Sequence, residues 1–111
     1  MRIKLSPQRR DDLLSVVKSG SVLIVNGEPF DFSHMDSGDT LPRAAIVSEW
    51  FANDVENIGG ELVVTLILPN PHNYSLQQAF PADLVDVPNG QVEFPKPLPS
   101  PEIEILVEEA S

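Results

Sequence analysis

The sequence predicts a mainly β fold: a single antiparallel, hairpin-built domain, arranged as a sandwich or a partly open barrel, with at most one short helix. Three observations support this prediction. Residue pairs that favour tight turns separate short apolar segments at residues 19–20, 26–27, 59–60 and 89–90. Apolar and polar residues alternate beside these pairs, as in strands with one buried face. Two successive turns also agree on which face is buried.

The clearest turn is Asn-Gly at residues 26–27, because both residue types tolerate the positive φ angles of a two-residue type I′ hairpin. This turn sets Leu23 opposite Phe30. One face then carries four apolar side chains, those of Leu23, Val25, Phe30 and Phe32. Asp31 falls on the opposite face.

Two strands are predicted before this hairpin. Residues 2–6 alternate and predict a first strand that ends at the following proline. Residues 13–18 predict the second strand, and a turn at residues 19–20 sets Val16 opposite Leu23. The resulting three-stranded meander buries the same face as the Asn-Gly hairpin.

The middle of the chain predicts one short helix. It covers residues 41–49, with Asp39 or Thr40 as its cap and Pro42 in its first turn. Trp-Phe at residues 50–51 is either an exposed binding anchor or part of the core. The scarcity of aromatic residues, 6% of the chain, favours the core.

A central strand is predicted for residues 61–68, which form the longest apolar run and are apolar on both faces. Gly-Gly at residues 59–60 pairs it with residues 55–58, and Pro69 is expected to end it. Residues 70–79 form a long loop without hydrophobic periodicity, which is typical of mobile or functional segments.

A last hairpin is predicted over residues 84–94, turning at residues 89–90. Its expected cross-strand pairs are Val87 with Val92 and Val85 with Phe94. We therefore place the antiparallel β domain in residues 1–94. Residues 95–111 form a proline-rich linker and an acidic C-terminal segment.

Alternating prolines predict that residues 95–101 are extended and project from the domain. Beyond them, three apolar residues alternate with mostly acidic ones: Ile103, Ile105 and Val107. This segment is expected either to be a solvated tail or to add a strand, near residues 2–6 of its own domain or on a partner's sheet edge.

The formal net charge of −10 indicates a solvated acidic surface that repels nucleic acid and anionic lipid and suits a basic partner. Five of the seven basic residues lie in the first 18 positions. The chain has no cysteine, which excludes disulfides and thiolate chemistry. It also has no apolar run long enough to span a membrane and no apolar signal-peptide core.

No motif predicts catalysis. His34 and His72 lie in polar loops, and Asp31, Asp36 and Asp39 near His34 lack the spacing of a metal site. Nucleophile motifs and glycine-rich phosphate loops are also missing. We expect no enzymatic activity, no catalytic or metal-binding residues, no cofactor and no small-molecule ligand.

Nine short stretches of the chain resemble a family of small, uncharacterised proteins encoded among the tail genes of temperate phages and prophages. They are residues 3–7, 26–33, 41–42, 45–46, 48–51, 60–62, 65–69, 80–81 and 89–92. These stretches hold mainly turn and core residues. The chain departs from the family at residues 70–72, Asn-Pro-His, where relatives often carry His-Gly, and in the tail after Pro95.

The resemblance implies a non-enzymatic protein–protein interaction module of a phage or prophage tail region, with a role in tail assembly or as a virion accessory. Its partner would be another phage structural or assembly protein, or a second copy. The implied location is the bacterial host cytoplasm during phage production, or the virion. The alternative is an acidic decoy, a DNA mimic that inhibits a host protein. The candidate partner-binding residues are His72, Asn73, Tyr74, Ile103, Ile105 and Val107.

Overall fold

A computed structural model describes residues 1–98 and confirms a mainly β fold with two sheets. The strands are β1 (Arg2–Arg9), β2 (Val16–Ser19), β3 (Val22–Val25), β4 (Glu28–Asp31), β5 (Thr40–Leu41), β6 (Val55–Ile58), β7 (Glu61–Asn70) and β8 (Gly90–Gln91). The helices are a 3₁₀ turn, Arg43–Ala45, and the short α1, Leu76–Ala79. One sheet has the order β1-β7-β6-β5 and the other β4-β3-β2-β8, and these residues form no closed barrel.

The hairpin at residues 26–27 is confirmed with its predicted register. Leu23 pairs with Phe30 and Val25 with Glu28. Asn26 has a φ of 48° and Gly27 a φ of 86°, as a type I′ turn requires. Leu23 and Val25 therefore face the core, and both are buried.

The turn between β2 and β3 lies one residue later than predicted, at Gly20 and Ser21. Gly20 has a φ of 58° and Ser21 is not among the residues with positive φ, which is the pattern of a type II′ turn. Val16 consequently pairs with Val25 rather than with Leu23. Because the register moves by two residues, the same side chains still face the core.

Both β1 and β7 continue through a proline, so the prediction that each strand ends there was wrong. In β7, the N–H of Ile67 donates to Trp50 O at 2.8 Å, on the side away from β1. Backbone direction alternates along a strand, so the nitrogen of Pro69 also points away from β1. The absence of an N–H group at Pro69 therefore costs no hydrogen bond between β1 and β7.

The pairing of β1 with β7 is parallel and runs from Arg2 opposite Val63 to Arg9 opposite Asn70. The other strand pairs are antiparallel. This strand pairing joins segments far apart in the chain, and no turn residue in the sequence predicts it. It makes β7 the central strand, buried at most of its positions.

The last predicted hairpin is wrong. Residues 90–91 pair with β2 in one sheet, whereas Leu84 forms an isolated bridge with Ile3 in the other. Asp86 adopts a φ of 49° and redirects the chain, and Pro88 has no N–H for a ladder. Val85, predicted to face Phe94, is 54% exposed.

The helix predicted over residues 41–49 was also wrong in extent. Leu41 belongs to β5, and only the 3₁₀ turn at Arg43–Ala45 follows. The Arg43 side chain donates to Ile46 O at 2.9 Å and Ser48 O at 2.7 Å, which fixes an irregular connection. The β-branched pair at residues 46–47 disfavours further helix.

Phe51 links the two sheets into one core. It is 1% exposed and forms a bridge with Leu66 in the β7 sheet. Its ring also meets Phe30 and Phe32 edge to face, at centroid distances of 4.9 and 6.1 Å. The prediction that the Trp-Phe pair packs in the core is confirmed for Phe51, while Trp50 is half-buried.

Arg10 connects the end of β1 to two acidic residues. Its Nε donates to the Asp12 carboxylate at 2.8 Å, and its Nη2 hydrogen-bonds both Asp12 and Glu49. The guanidinium carbon lies 4.3 Å from the centre of the Trp50 ring. The hydrogen bond from Arg10 holds the pKa of Asp12 below its usual 3.8.

This depressed pKa predicts part of the acid sensitivity of the fold. Because Asp12 binds a proton more readily in the unfolded chain, its contribution is present above pH 3.8 and is lost as the pH falls through the folded-state pKa. Asp12→Asn should therefore flatten the fall in stability at acidic pH, as measured by urea unfolding at several pH values. Arg10→Gln should cause the same flattening. If both variants lose as much stability between neutral and acidic pH as the wild type does, this contact is not formed in solution.

Candidate interaction surface

Half of the eight exposed large apolar side chains of the described residues belong to α1, its flanks and the end of the described chain: Tyr74, Leu76, Phe80 and Leu98. Phe80 is 81% exposed and Leu76 is 75% exposed. They lie four residues apart at α1, so they occupy one side of it. We call the Phe80 surface the patch formed by Leu76, Phe80, Ala82, Phe94 and Pro95.

A cleft of about 540 Å³ lies along this surface. Apolar and charged residues line it: Gln77, Phe80, Ala82, Asp83, Leu84, Glu93, Phe94, Pro95 and Lys96. A second cleft of about 500 Å³, which includes Leu13 and Leu68, lies along the same segment of residues 93–97. That segment therefore forms a ridge between two open clefts, which gives a partner concave apolar surface to fill.

The helix that carries the surface is held by a capping box. The Ser75 hydroxyl accepts the N–H of Gln78 at 3.2 Å, and the Gln78 side chain accepts the N–H of Ser75 at 3.1 Å. Asn70, at the end of β7, donates from Nδ2 to Gln78 O at 2.8 Å. These buried polar contacts attach a four-residue helix to the central strand. Phe80 is thus exposed on a fixed element.

The ridge is fixed at both ends. The N–H of Val92 donates to Val16 O at 2.8 Å. At the other end, the N–H of Leu98 donates to Asn73 O at 2.8 Å, and Asn73 Nδ2 donates to Leu98 O at 2.6 Å. Residues 95–98 therefore run along the domain instead of projecting from it. The division of the chain at residue 94 stays a prediction.

Of the three predicted partner-binding residues within the described range, His72 and Tyr74 are exposed, and Asn73 is half-buried in its contact with Leu98. Tyr74 lines a separate cleft with Pro7 and Ala79, and none of the three lines the cleft that contains Phe80. Ile103, Ile105 and Val107 lie outside the described residues. Sequence reasoning missed Leu76 and Phe80, although Ser75 followed by Gln78 is the pattern of a capping box.

Two of the four sheet edges, β1 and β4, are partly blocked for another strand. Leu84 bridges Ile3 on the outer side of β1, where the C-terminal segment was expected to add a strand. The edge strand β4 contains Pro29, which has no N–H. A partner is therefore better placed against side chains than against a strand backbone.

The basic N-terminal segment is largely neutralised by nearby acids. Arg2 lies near Glu61 and Asp83, and Arg9 pairs with Asp11 at 2.9 Å. Arg10 bonds Asp12 and Glu49, as described above. The three arginines of this segment are therefore paired with acids, while Lys4 and Lys18 take part in none of the salt bridges among residues 1–98.

Among the described residues, side chains that could bind a metal ion or shift each other's pKa rarely lie close together. Within residues 1–98, no three His, Cys, Asp or Glu side chains gather closely enough to hold a metal ion. The pKa of Asp31 is lowered, mainly by hydrogen bonds from Ser33 and less by the nearby charge of His34. No helix in this part of the chain is long and apolar enough to cross a bilayer.

Comparison with protein-family models, with curated proteins and with solved structures finds no match to this chain. The phage-tail context therefore stays an expectation that depends on the short sequence stretches resembling that family.

Proposed function

We propose that this protein is a non-enzymatic protein–protein interaction module of a phage tail region, acting in tail assembly or as a virion accessory. Its Phe80 surface contacts another phage structural or assembly protein. One observation carries the proposal: two large apolar side chains, Leu76 and Phe80, are exposed on a helix that hydrogen bonds fix in place. Contiguous exposed apolar surface of this kind marks interaction sites.

We expect Phe80 to contribute most to the binding free energy. Burying a Phe side chain is worth about 1.5–3 kcal/mol, and aromatic residues that fill pockets dominate binding energies. The cleft that Phe80 lines, and the second cleft across residues 93–97, provide room for the partner's own side chains. Glu93 and Lys96 line both clefts and supply charged groups at the margin.

The test compares two matched surface substitutions in the tagged full-length protein. Phe80→Ser removes the proposed anchor, whereas Ile58→Ser removes a 59% exposed residue at the β6–β7 turn, distant from α1 along β7. Recovery of a phage tail protein from an induced lysate should fall about tenfold for Phe80→Ser, the effect of about 1.4 kcal/mol. It should be unchanged for Ile58→Ser. Equal recovery with all three proteins would contradict the assignment of this surface.

The net charge of −10 favours the alternative of an acidic decoy, and salt separates the two functions. A DNA mimic binds a basic protein through many charge contacts, so its binding weakens steeply as salt rises. Binding through the Phe80 surface is mainly apolar and should persist at moderate salt. Recovery of a host DNA-binding protein that is lost at moderate salt and indifferent to Phe80→Ser would favour the decoy.

A further inference from the structure

We propose that residues 103–107 of the same molecule cover the Phe80 surface in the absence of a partner. The inference concerns the surface named in the proposed function and adds an intramolecular occupant to it. It rests on where the described chain ends, on the reach of the remaining residues and on their chemistry.

The described chain ends beside the Phe80 surface. Leu98 is held by two hydrogen bonds to Asn73, which lies three residues before the start of α1. Residues 93–96, just before this contact, form a wall of the cleft that contains Phe80. The chain that follows Leu98 therefore starts next to the exposed patch.

The remaining length is sufficient to reach this patch. Residues 99–102 span about 12 Å at roughly 3.1 Å per extended residue, and residues 103–107 span about 15 Å more. The path from Asn73 to Phe80 includes a helix of four residues, which is only about 6 Å long. Ile103 can therefore meet the surface without any movement of the contact between Leu98 and Asn73.

The chemistry of the segment complements the surface. Ile103, Ile105 and Val107 alternate with other residues, so an extended chain presents them on one side. The segment from residue 99 onwards also contains four glutamates and no basic residue. Lys96 is exposed, lines the cleft with Phe80 and takes part in none of the salt bridges among residues 1–98. The glutamates beside Ile103, Ile105 and Val107 can therefore approach the Lys96 side chain.

Competing positions on the same domain are less suitable. The outer side of β1 at Ile3 is occupied by Leu84, and the arginines of β1 already lie beside acids. Docking of side chains into the clefts requires no unpaired strand edge. The Phe80 surface is therefore an apolar target within reach of the end of the chain, and the neighbouring cleft with Leu13 and Leu68 is the other one.

Paramagnetic broadening in NMR spectra of the full-length protein tests this inference. The chain has no cysteine, so Glu104→Cys gives one site for a nitroxide label. We expect broadening of the amides of residues 76–80, Phe94 and Lys96, and none near Ile58. The matched control carries the same label together with Ile103→Ser, Ile105→Ser and Val107→Ser, and it should lose this broadening.

Each outcome decides the inference. Equal broadening in the control would show that the label is near the surface only because of its tether, which contradicts docking. Broadening that appears only when labelled and ¹⁵N-enriched molecules are mixed would assign the segment to a second copy and overturn the intramolecular form. If the segment does not dock but Phe80→Ser still abolishes partner recovery, the inference fails while the proposed function stands. If the segment docks but Phe80→Ser leaves partner recovery unchanged, the inference stands while the proposed function fails.

Discussion

Phe51→Ala should lower the free energy of unfolding by about 3–5 kcal/mol, the usual cost of removing a buried Phe ring. Phe51 is 1% exposed and contacts both sheets, through the bridge with Leu66 and the ring contacts with Phe30 and Phe32. No single side chain can fill the resulting cavity without moving a sheet. Since small domains are stable by only about 5–15 kcal/mol, the variant should lose a large part of its stability.

Equilibrium urea unfolding followed by circular dichroism measures this effect. The control is Phe80→Ala in protein that lacks residues 99–111, so that nothing docks on it; this change at an 81% exposed position should alter stability by no more than about 0.5 kcal/mol. If Phe51→Ala costs no more than this control, Phe51 does not join the sheets. In the full-length protein, docking of residues 103–107 predicts a larger cost for Phe80→Ala than in the shortened protein.

Gly27→Val should cost about 1–3 kcal/mol, because a β-branched residue is forced to adopt a positive φ. Gly27 has a φ of 86°, and a Cβ placed there would meet no atom within 4 Å. The cost therefore comes from backbone conformation and not from a clash. Gly27→Asn should be milder, since asparagine tolerates this region far better.

Thermal or urea unfolding of the two position-27 variants provides the comparison. Equal stability of Gly27→Val and the wild type would mean that the turn is not of type I′, and the register of β3 with β4 would have to be revised. Asp31→Ala serves as a check on the face assignment, since Asp31 lies opposite to the core face and should leave the unfolding midpoint close to that of the wild type.

The parts of the fold that follow from local chemistry could be predicted from the sequence. The Asn-Gly and Gly-Gly hairpins need specific φ angles at adjacent residues. Two residues therefore determine both the turn type and the register of each hairpin. The shifted turn at Gly20 shows the limit of this reasoning, because a single glycine fits two neighbouring turn placements. Alternation still identified the buried face, since a shift by two residues preserves it.

Long-range contacts could not be predicted in the same way. The parallel pairing of β1 with β7 depends on segments about 60 residues apart in the chain, and neither proline ends its strand because each nitrogen points away from the ladder between them. The hairpin expected near Asn89 failed because residues 84 and 90 find partners in different sheets. Such competition between partners is decided by packing and not by turn propensity.

The candidate surface was only partly predictable. The sequence identified the loop of residues 70–79 as a mobile or functional segment, and this loop contains α1 with the exposed Leu76. The assignment of His72 and Tyr74 as partner-binding residues stays a prediction. It could not identify Phe80 itself, because an apolar residue in a sequence is expected to be buried unless the fold shows otherwise. The role of residues 103–107 stays a prediction, since they lie outside the described residues.

The most direct test of the central claim is a contact measurement at the Phe80 surface. A photoreactive phenylalanine analogue placed at position 80, with a control at position 58, should be irradiated in cells producing the phage. The account predicts a covalent adduct between position 80 and a phage tail structural or assembly protein, and none from position 58. Adducts from position 58 alone, or from neither position while the protein still co-purifies with its tail partner, would contradict it.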